Sequence, residues 1–276
     1  MSELAPHTEA ARSHPVRRYL TLLRLFAVTS LGAELEYRAN FTFSLISSAM
    51  NLGASIFTVR LFFSHGASLG GWSWAAALVV LGASTVLSGI SQSMLQPNLS
   101  RLVEHVREGT LDFVLLKPVN AQLWLSTRRL SPWGIPDILL GGALIVYGSL
   151  AVAPSVWAWL ALGVSLCFST LILYALWFIL ATTTVWFVQI YNVTEVLRGM
   201  LDAGRFPIDA FPQGAYRFVF TFVIPVAFMT SVPAQVVLGQ AVPSHLLGAL
   251  VLTATLLGVA RAFFRFALRY YTSASS

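Results

Sequence analysis

The chain has 276 residues, of which 57% are hydrophobic and 10% charged, with a formal net charge of +6. An ordinary soluble domain carries about 25% charged residues, so a soluble globule of this length is excluded for want of polar surface to cover its core. The basic residues sit at the ends of apolar runs, as membrane topology requires, and not in a patch suited to a nucleic-acid partner.

Residues 1–16 (MSELAPHTEAARSHPV) read as a loose cytosolic tail. No secretory signal is expected, because Arg24 breaks the first apolar core and no small-residue cleavage site follows before Glu34. Over 17–38, Arg17, Thr21 and Arg24 share one strip, while Tyr19, Leu22, Leu23 and Phe26 fall opposite. This predicts a basic amphipathic helix lying in the membrane interface; the competing reading is an extension of the next helix.

Phe41–Ser64 reads as the first span, with Arg60 near its far end, and Ala75–Leu95 as the second. Residues 96–134 form a charged cytosolic loop. In it Leu99, Leu102, Val103 and Val106 recur at helical spacing among Arg101, Glu104, His105, Arg107 and Glu108, with Pro97 and Gly109 as start and stop signals. The third span is expected at 135–153.

From Val156 to Tyr191 no residue is charged. That length suggests a tight hairpin of two spans, 156–174 and 176–194, with 195–240 as an outer, partly re-entrant segment. A rival reading makes 156–188 one tilted helix and 218–240 a true span. The last span is expected at 245–264, before Arg265 and Arg269. The expectation is thus an all-α membrane protein of six spans, a single domain over 1–276 with both termini cytosolic.

The chemistry that is missing narrows the function. The only lysine, Lys117, precedes Pro118, so no P-loop is present. The five histidines lack ligand spacing, the single Cys167 allows no intrachain disulfide, and no GxSxG turn occurs. The spans hold almost no acidic residue or histidine for ion coupling. An enzyme is not expected, nor a metal or a cofactor bound by this chain.

Two motifs carry a resemblance. Glu108-Gly109-Thr110-Leu111-Asp112 followed by Leu115-Leu116-Lys117-Pro118-Val119 resembles the motif after the second span of ABC-2 type permeases. Gly204-Arg205-Phe206-Pro207, then Phe211-Pro212, Pro225 and Pro233, is similar to that family's stretch of short outer or re-entrant helices before the last span. Asp112 stands where glutamate is commoner, and Pro225 falls inside the outer helical region. Within the superfamily the chain looks most like a bacterial subgroup of permeases that occur as neighbouring pairs.

The resemblance implies a permease subunit of an exporter in the bacterial inner membrane, among membrane lipid. Its partners would be a second permease, identical or paralogous, and a separate ATPase holding the ATP and Mg. It also implies that the helix at 97–109 acts as a coupling helix against the ATPase. The substrate, amphipathic or polymeric, would leave through the dimer interface past spans 75–95 and 176–194. Exposed ion pairs are worth only about 0–1 kcal/mol each. Docking would then rest on Leu99, Leu102, Val103 and Val106, unless that face lies on the spans. The alternatives are an ATP-independent channel or carrier and a non-transporting scaffold.

Overall fold

The computed structural model describes residues 21, 24–26, 28–29, 38–64, 70–187, 199, 201–210 and 214–271. The expected tail at 1–16, most of the interfacial helix at 17–38, and Glu195, Arg198, Phe211 and Pro212 lie outside them. Helix α1 runs Arg38–Ser64 and α2 runs Trp74–Ile90; a π turn at Ser91–Leu95 carries α2 directly into α3, Gln96–Arg107. After the short α4, Asp112–Leu115, come α5 at Ala121–Thr127, α6 at Ile135–Ser149 and α7 at Val156–Thr182. Short pieces follow, among them α8 at Ala215–Phe218 and α9 at Val232–Val237, before α10 at Pro243–Ala267. Four helices among the described residues are long and apolar enough to cross a membrane. The number is five if α5 and the Pro132–Ser149 helix, bent by 57°, form one span.

Three expectations change. The hairpin at 156–194 is replaced by one helix: Ser155 caps it, accepting from the Ala158 N–H at 3.3 Å, and nothing breaks it before Thr182. A turn at Tyr174–Ala175 would leave backbone groups unpaired in lipid, whereas the hydroxyls of Ser169 and Thr170 simply donate to carbonyls one turn back. The helix ends where Thr182, Thr183 and Thr184 all bond back to preceding carbonyls, competing with the backbone ladder. Second, the cytosolic helix is not separate, since Trp74–Arg107 is a single 34-residue helix; Pro97 sits within it because the π turn has already freed the carbonyl its ring would block. Third, the expected span at 135–153 stops at Ser149. The 218–240 stretch is no unbroken span either. It splits at Ile224–Pro225 between two π turns, Val219–Val223 and Ala227–Ser231.

Helices α2 and α6 form the most extensively packed pair, through a ladder of small residues seven apart. Ala75, Gly82 and Gly89 on α2 meet Gly148, Gly141 and Gly134 in antiparallel order. A methyl group added at Gly82 or Gly141 would lie 2.7 Å from the other's carbonyl oxygen. Without a hydrophobic drive between helices in lipid, such close backbone approach is how they adhere.

The two ends of the bundle differ. At one end, Trp72 donates to Asp209 at 3.0 Å and Arg217 pairs with the same carboxylate; further into the bundle Arg205 bridges Asp202 and Ser55, each at 2.8 Å. At the other end, the rings of Phe263, Phe266 and Tyr270 surround Trp186. That end also holds Arg101, Arg107, Lys117, Arg128, Arg129 and α3–α5.

Candidate functional site

The charged stretch after α2 is built as an extension of the membrane helix, clamped along its length. The π turn releases the Ser93 carbonyl, which accepts the Ser131 N–H at 2.8 Å. One turn further, Asn98, 2% exposed, pairs with both backbone groups of Arg129. Its amide donates to the Arg129 carbonyl at 2.7 Å and its oxygen accepts the Arg129 N–H at 2.8 Å. The returning chain is thereby fastened to α3.

The apolar strip of α3 does not face the cytosol. Leu99, Leu102 and Val106 are buried in one cluster with Leu111, Val114, Leu125, Leu173 and Phe178. Full burial of each leucine stabilises this joint by about 1.5–3 kcal/mol. The docking face expected from Leu99, Leu102, Val103 and Val106 is therefore corrected: it packs on the protein's own helices. Arg101 and Glu104, 3.2 Å apart, lie on the outer strip with Arg107 and Glu108.

Gly109 stops α3 as expected, at φ +67°. The Thr110 N–H reaches back to the His105 carbonyl at 2.9 Å and the Gly109 N–H to that of Val106 at 3.3 Å, a Schellman closure that favours glycine at this position. His105 Nδ1 and Thr110 Oγ1 lie 2.8 Å apart across the turn. The motif therefore has a structural reading: Gly109 reverses the chain, Thr110 fastens it, and Leu111 plugs the core. We expect Gly109→Ala to cost about 1–2 kcal/mol through the left-handed backbone alone, visible as a Tm lowered by about 2–8 °C.

Beyond the turn the pattern inverts. Leu111 and Val114 point inward, whereas Phe113 and Leu116 are 68% and 81% exposed. Asp112 opens α4, Pro118 stays exposed, and Asn120 caps α5 by accepting the Leu123 N–H at 3.1 Å. Lys117 sits over the Trp124 ring, 3.9 Å from its centre, with Arg128 at 4.9 Å. Burial, then the Arg128 charge, hold the lysine pKa below its ordinary value. Phe26 meets the same ring edge-on at 5.1 Å, so Trp124 joins the N-terminal segment to this element. Tyr174 of α7 ties down α5 through Ser126 at 2.8 Å and Gln122 at 3.2 Å.

The second set of motif residues lies at the opposite end. Phe206 packs edge-on against Phe62 at 5.9 Å, Gly204 lies against Thr230 and Val226, and the Ile208 N–H after Pro207 donates to Ser231 at 3.1 Å. Pro225 and Pro233 flank the Ala227–Ser231 turn. The structure thus joins the first motif into one tip and the described residues of the second into one cap, and does not bring the two together. Asn98, Trp124 and Asp209 are the residues that sequence reasoning missed. Asparagine in an amphipathic helix carried no distinguishing pattern, but Asp209 among prolines and aromatics was visible as a charge needing partners.

The family model described as ABC-2 family transporter protein matches residues 49–275. No curated protein matches the chain, and no solved structure does.

Proposed function

The chain belongs to the ABC-2 transporter family, and from that premise we propose that it is the permease subunit through which a separate ATPase drives export. The observation that carries this reading is the unbroken Trp74–Arg107 helix. At 1.5 Å per residue it is about 50 Å long, so a push at its exposed end is delivered to the Gly82–Gly141 contact in the membrane. ATP and Mg belong to the partner, whose contact is the tip formed by Phe113 and Leu116, ringed by Arg101, Glu104, Arg107 and Glu108. A second permease completes the assembly.

Six crossings fit this geometry with changed boundaries. Phe187 lies beside the Trp186 cluster at one end of the bundle, and Asp209 is bonded to Trp72 at the other. Four or five helices among the described residues can span; we keep six crossings as the proposed plan, with 208–240 as its outer, re-entrant part. The end holding the 97–129 element is cytosolic by its excess of arginine. At the opposite end Arg217 is neutralised by Asp209, and Arg205, deeper in the bundle, by Asp202.

Replacing Phe113 and Leu116 together with aspartate tests the reading. Both are exposed, so the permease should keep its melting temperature. Its association with the ATPase of the complex should weaken about 30-fold or more, the loss expected for two apolar anchors. Unchanged co-purification and unchanged ATP hydrolysis by the complex would overturn the proposed contact.

A further inference from the structure

A polar groove of about 520 Å³ runs between α1, α2 and residues 201–205, inside the candidate spans Asn40–Ser64 and Trp74–Arg107. Its walls are two facing stripes. On α1, Ser44, Ser48, Asn51 and Ser55 recur at helical spacing; on α2 and the start of the π turn, Ser84, Ser88 and Ser91 do the same. Asn51, Ser55, Asp202 and Arg205 also line a second cavity of about 420 Å³, which continues to Thr58 and Phe206 at the outer end. The two cavities therefore make one track, from Gln96 and Asp137 near the basic end to Phe206 at the other.

Some of these groups are already satisfied. Ser84 donates to the Leu201 carbonyl at 3.2 Å, Ser44 to that of Trp133 at 2.7 Å, and Gln92 to Asp137 at 2.6 Å. Ser48, Asn51, Ser88 and Gln96 hold no side-chain hydrogen bond among the described residues. Polar groups at membrane depth are costly without partners, so this track is built for a polar occupant.

We propose that the track binds the uncharged, hydroxyl-rich headgroup of an amphiphile. A serine hydroxyl both donates and accepts, as a ligand hydroxyl does, and two such stripes can pair with a ring of hydroxyls whatever its orientation. Among the described lining residues, charge argues against an anion: Asp202 and Arg205 cancel each other, leaving the Asp137 carboxylate in excess. Flat apolar ligands find little to stack on, since Trp177 is the one aromatic residue among the described residues of the larger cavity. The apolar tail would stay in lipid, beside the exposed Phe43, Met50 and Phe57 of α1. This inference rests on the chain being a transport subunit, and it names the substrate class.

The test needs no ATPase, so it can fail independently of the proposed coupling. In a Cys167→Ser background, Ser48→Cys, Ser88→Cys and, on the exposed apolar side of α6, Val146→Cys are placed singly in the full chain in phosphatidylcholine nanodiscs. A membrane-impermeant cationic thiol reagent should modify positions 48 and 88 quickly and position 146 slowly. Adding monoglucosyl diacylglycerol should slow positions 48 and 88 about fivefold or more, a protection equal to about 1 kcal/mol of preference. Phosphatidylglycerol with the same tails should not slow them. Equal protection by both lipids, absence of labelling at 48 and 88, or a spontaneous disulfide between two chains at position 48 would each overturn the proposal.

Discussion

Gly141→Val should leave the chain unable to reach its folded, monodisperse form. A side chain at this position places its first carbon 2.7 Å from the Gly82 carbonyl oxygen and 2.8 Å from the Val86 backbone nitrogen. Both obstacles are backbone, which cannot rotate away. Overpacking of a well-packed contact costs about 1–3 kcal/mol, occasionally more, and the added valine methyls put this site at the upper end. Sliding cannot relieve it, because Gly89–Gly134 and Ala75–Gly148 are rungs of the same ladder, seven residues to either side, and a slipped register misplaces all three. Gly142 supplies the control. A methyl there meets nothing within 4 Å, so Gly142→Ala should keep or slightly raise the melting temperature. Size-exclusion profiles and thermal melts of the two variants decide the matter. A monodisperse Gly141→Val protein with unchanged Tm would mean that α2 and α6 do not pack through this ladder.

That ladder left its spacing in the sequence, but no expectation was drawn from it. Gly82 and Gly89 fall seven apart in one apolar run, and Gly134, Gly141 and Gly148 do so in another. The membrane class, the first span and the Gly109 stop were legible, because each depends on composition or on one residue's backbone freedom. The single helix at Val156–Thr182 was not. A charge-free run longer than 30 residues fits a hairpin or a tilted helix equally by hydropathy, and the decision lay in three threonines whose hydroxyls turn back on the chain. The π turn at Ser91–Leu95 has no sequence signature, so the junction of membrane helix and charged helix read as two elements. The strip Leu99, Leu102, Val106 was recognised, but periodicity says only that a face is buried, never against what. Phe113 and Leu116 were hidden for the converse reason: within a short apolar stretch, nothing in the sequence separates the pair that points outward from Leu111 and Val114, which point in.

Asn98→Leu should uncouple the tip from the membrane while leaving the tip itself intact. Leucine keeps the branching and heavy-atom count of asparagine, at a larger volume, but removes three hydrogen bonds, to the carbonyls of Met94 and Arg129 and from the Arg129 N–H. With Asn98 2% exposed, water cannot readily replace them, and each orphaned buried group costs about 1–3 kcal/mol. The local loss at Arg129 should therefore come to about 2–5 kcal/mol, enough to free the returning chain from α3. Hydrogen exchange of the Arg129 and Ser131 amides should accelerate by more than about tenfold. Asn98→Asp, which still accepts the Arg129 N–H but turns a carboxylate oxygen on the Met94 and Arg129 carbonyls, should free the clamp at least as far. In a working complex the contrast with the Phe113 and Leu116 variant becomes informative. Loss of the tip should release the ATPase, whereas loss of the clamp should keep it bound and weaken the link between ATP hydrolysis and movement of α2. Were Asn98→Leu to retain wild-type exchange at Arg129 and Ser131, the clamp would be no constraint. The rigidity of the element would then reside in the buried cluster around Leu102 and Leu111 alone.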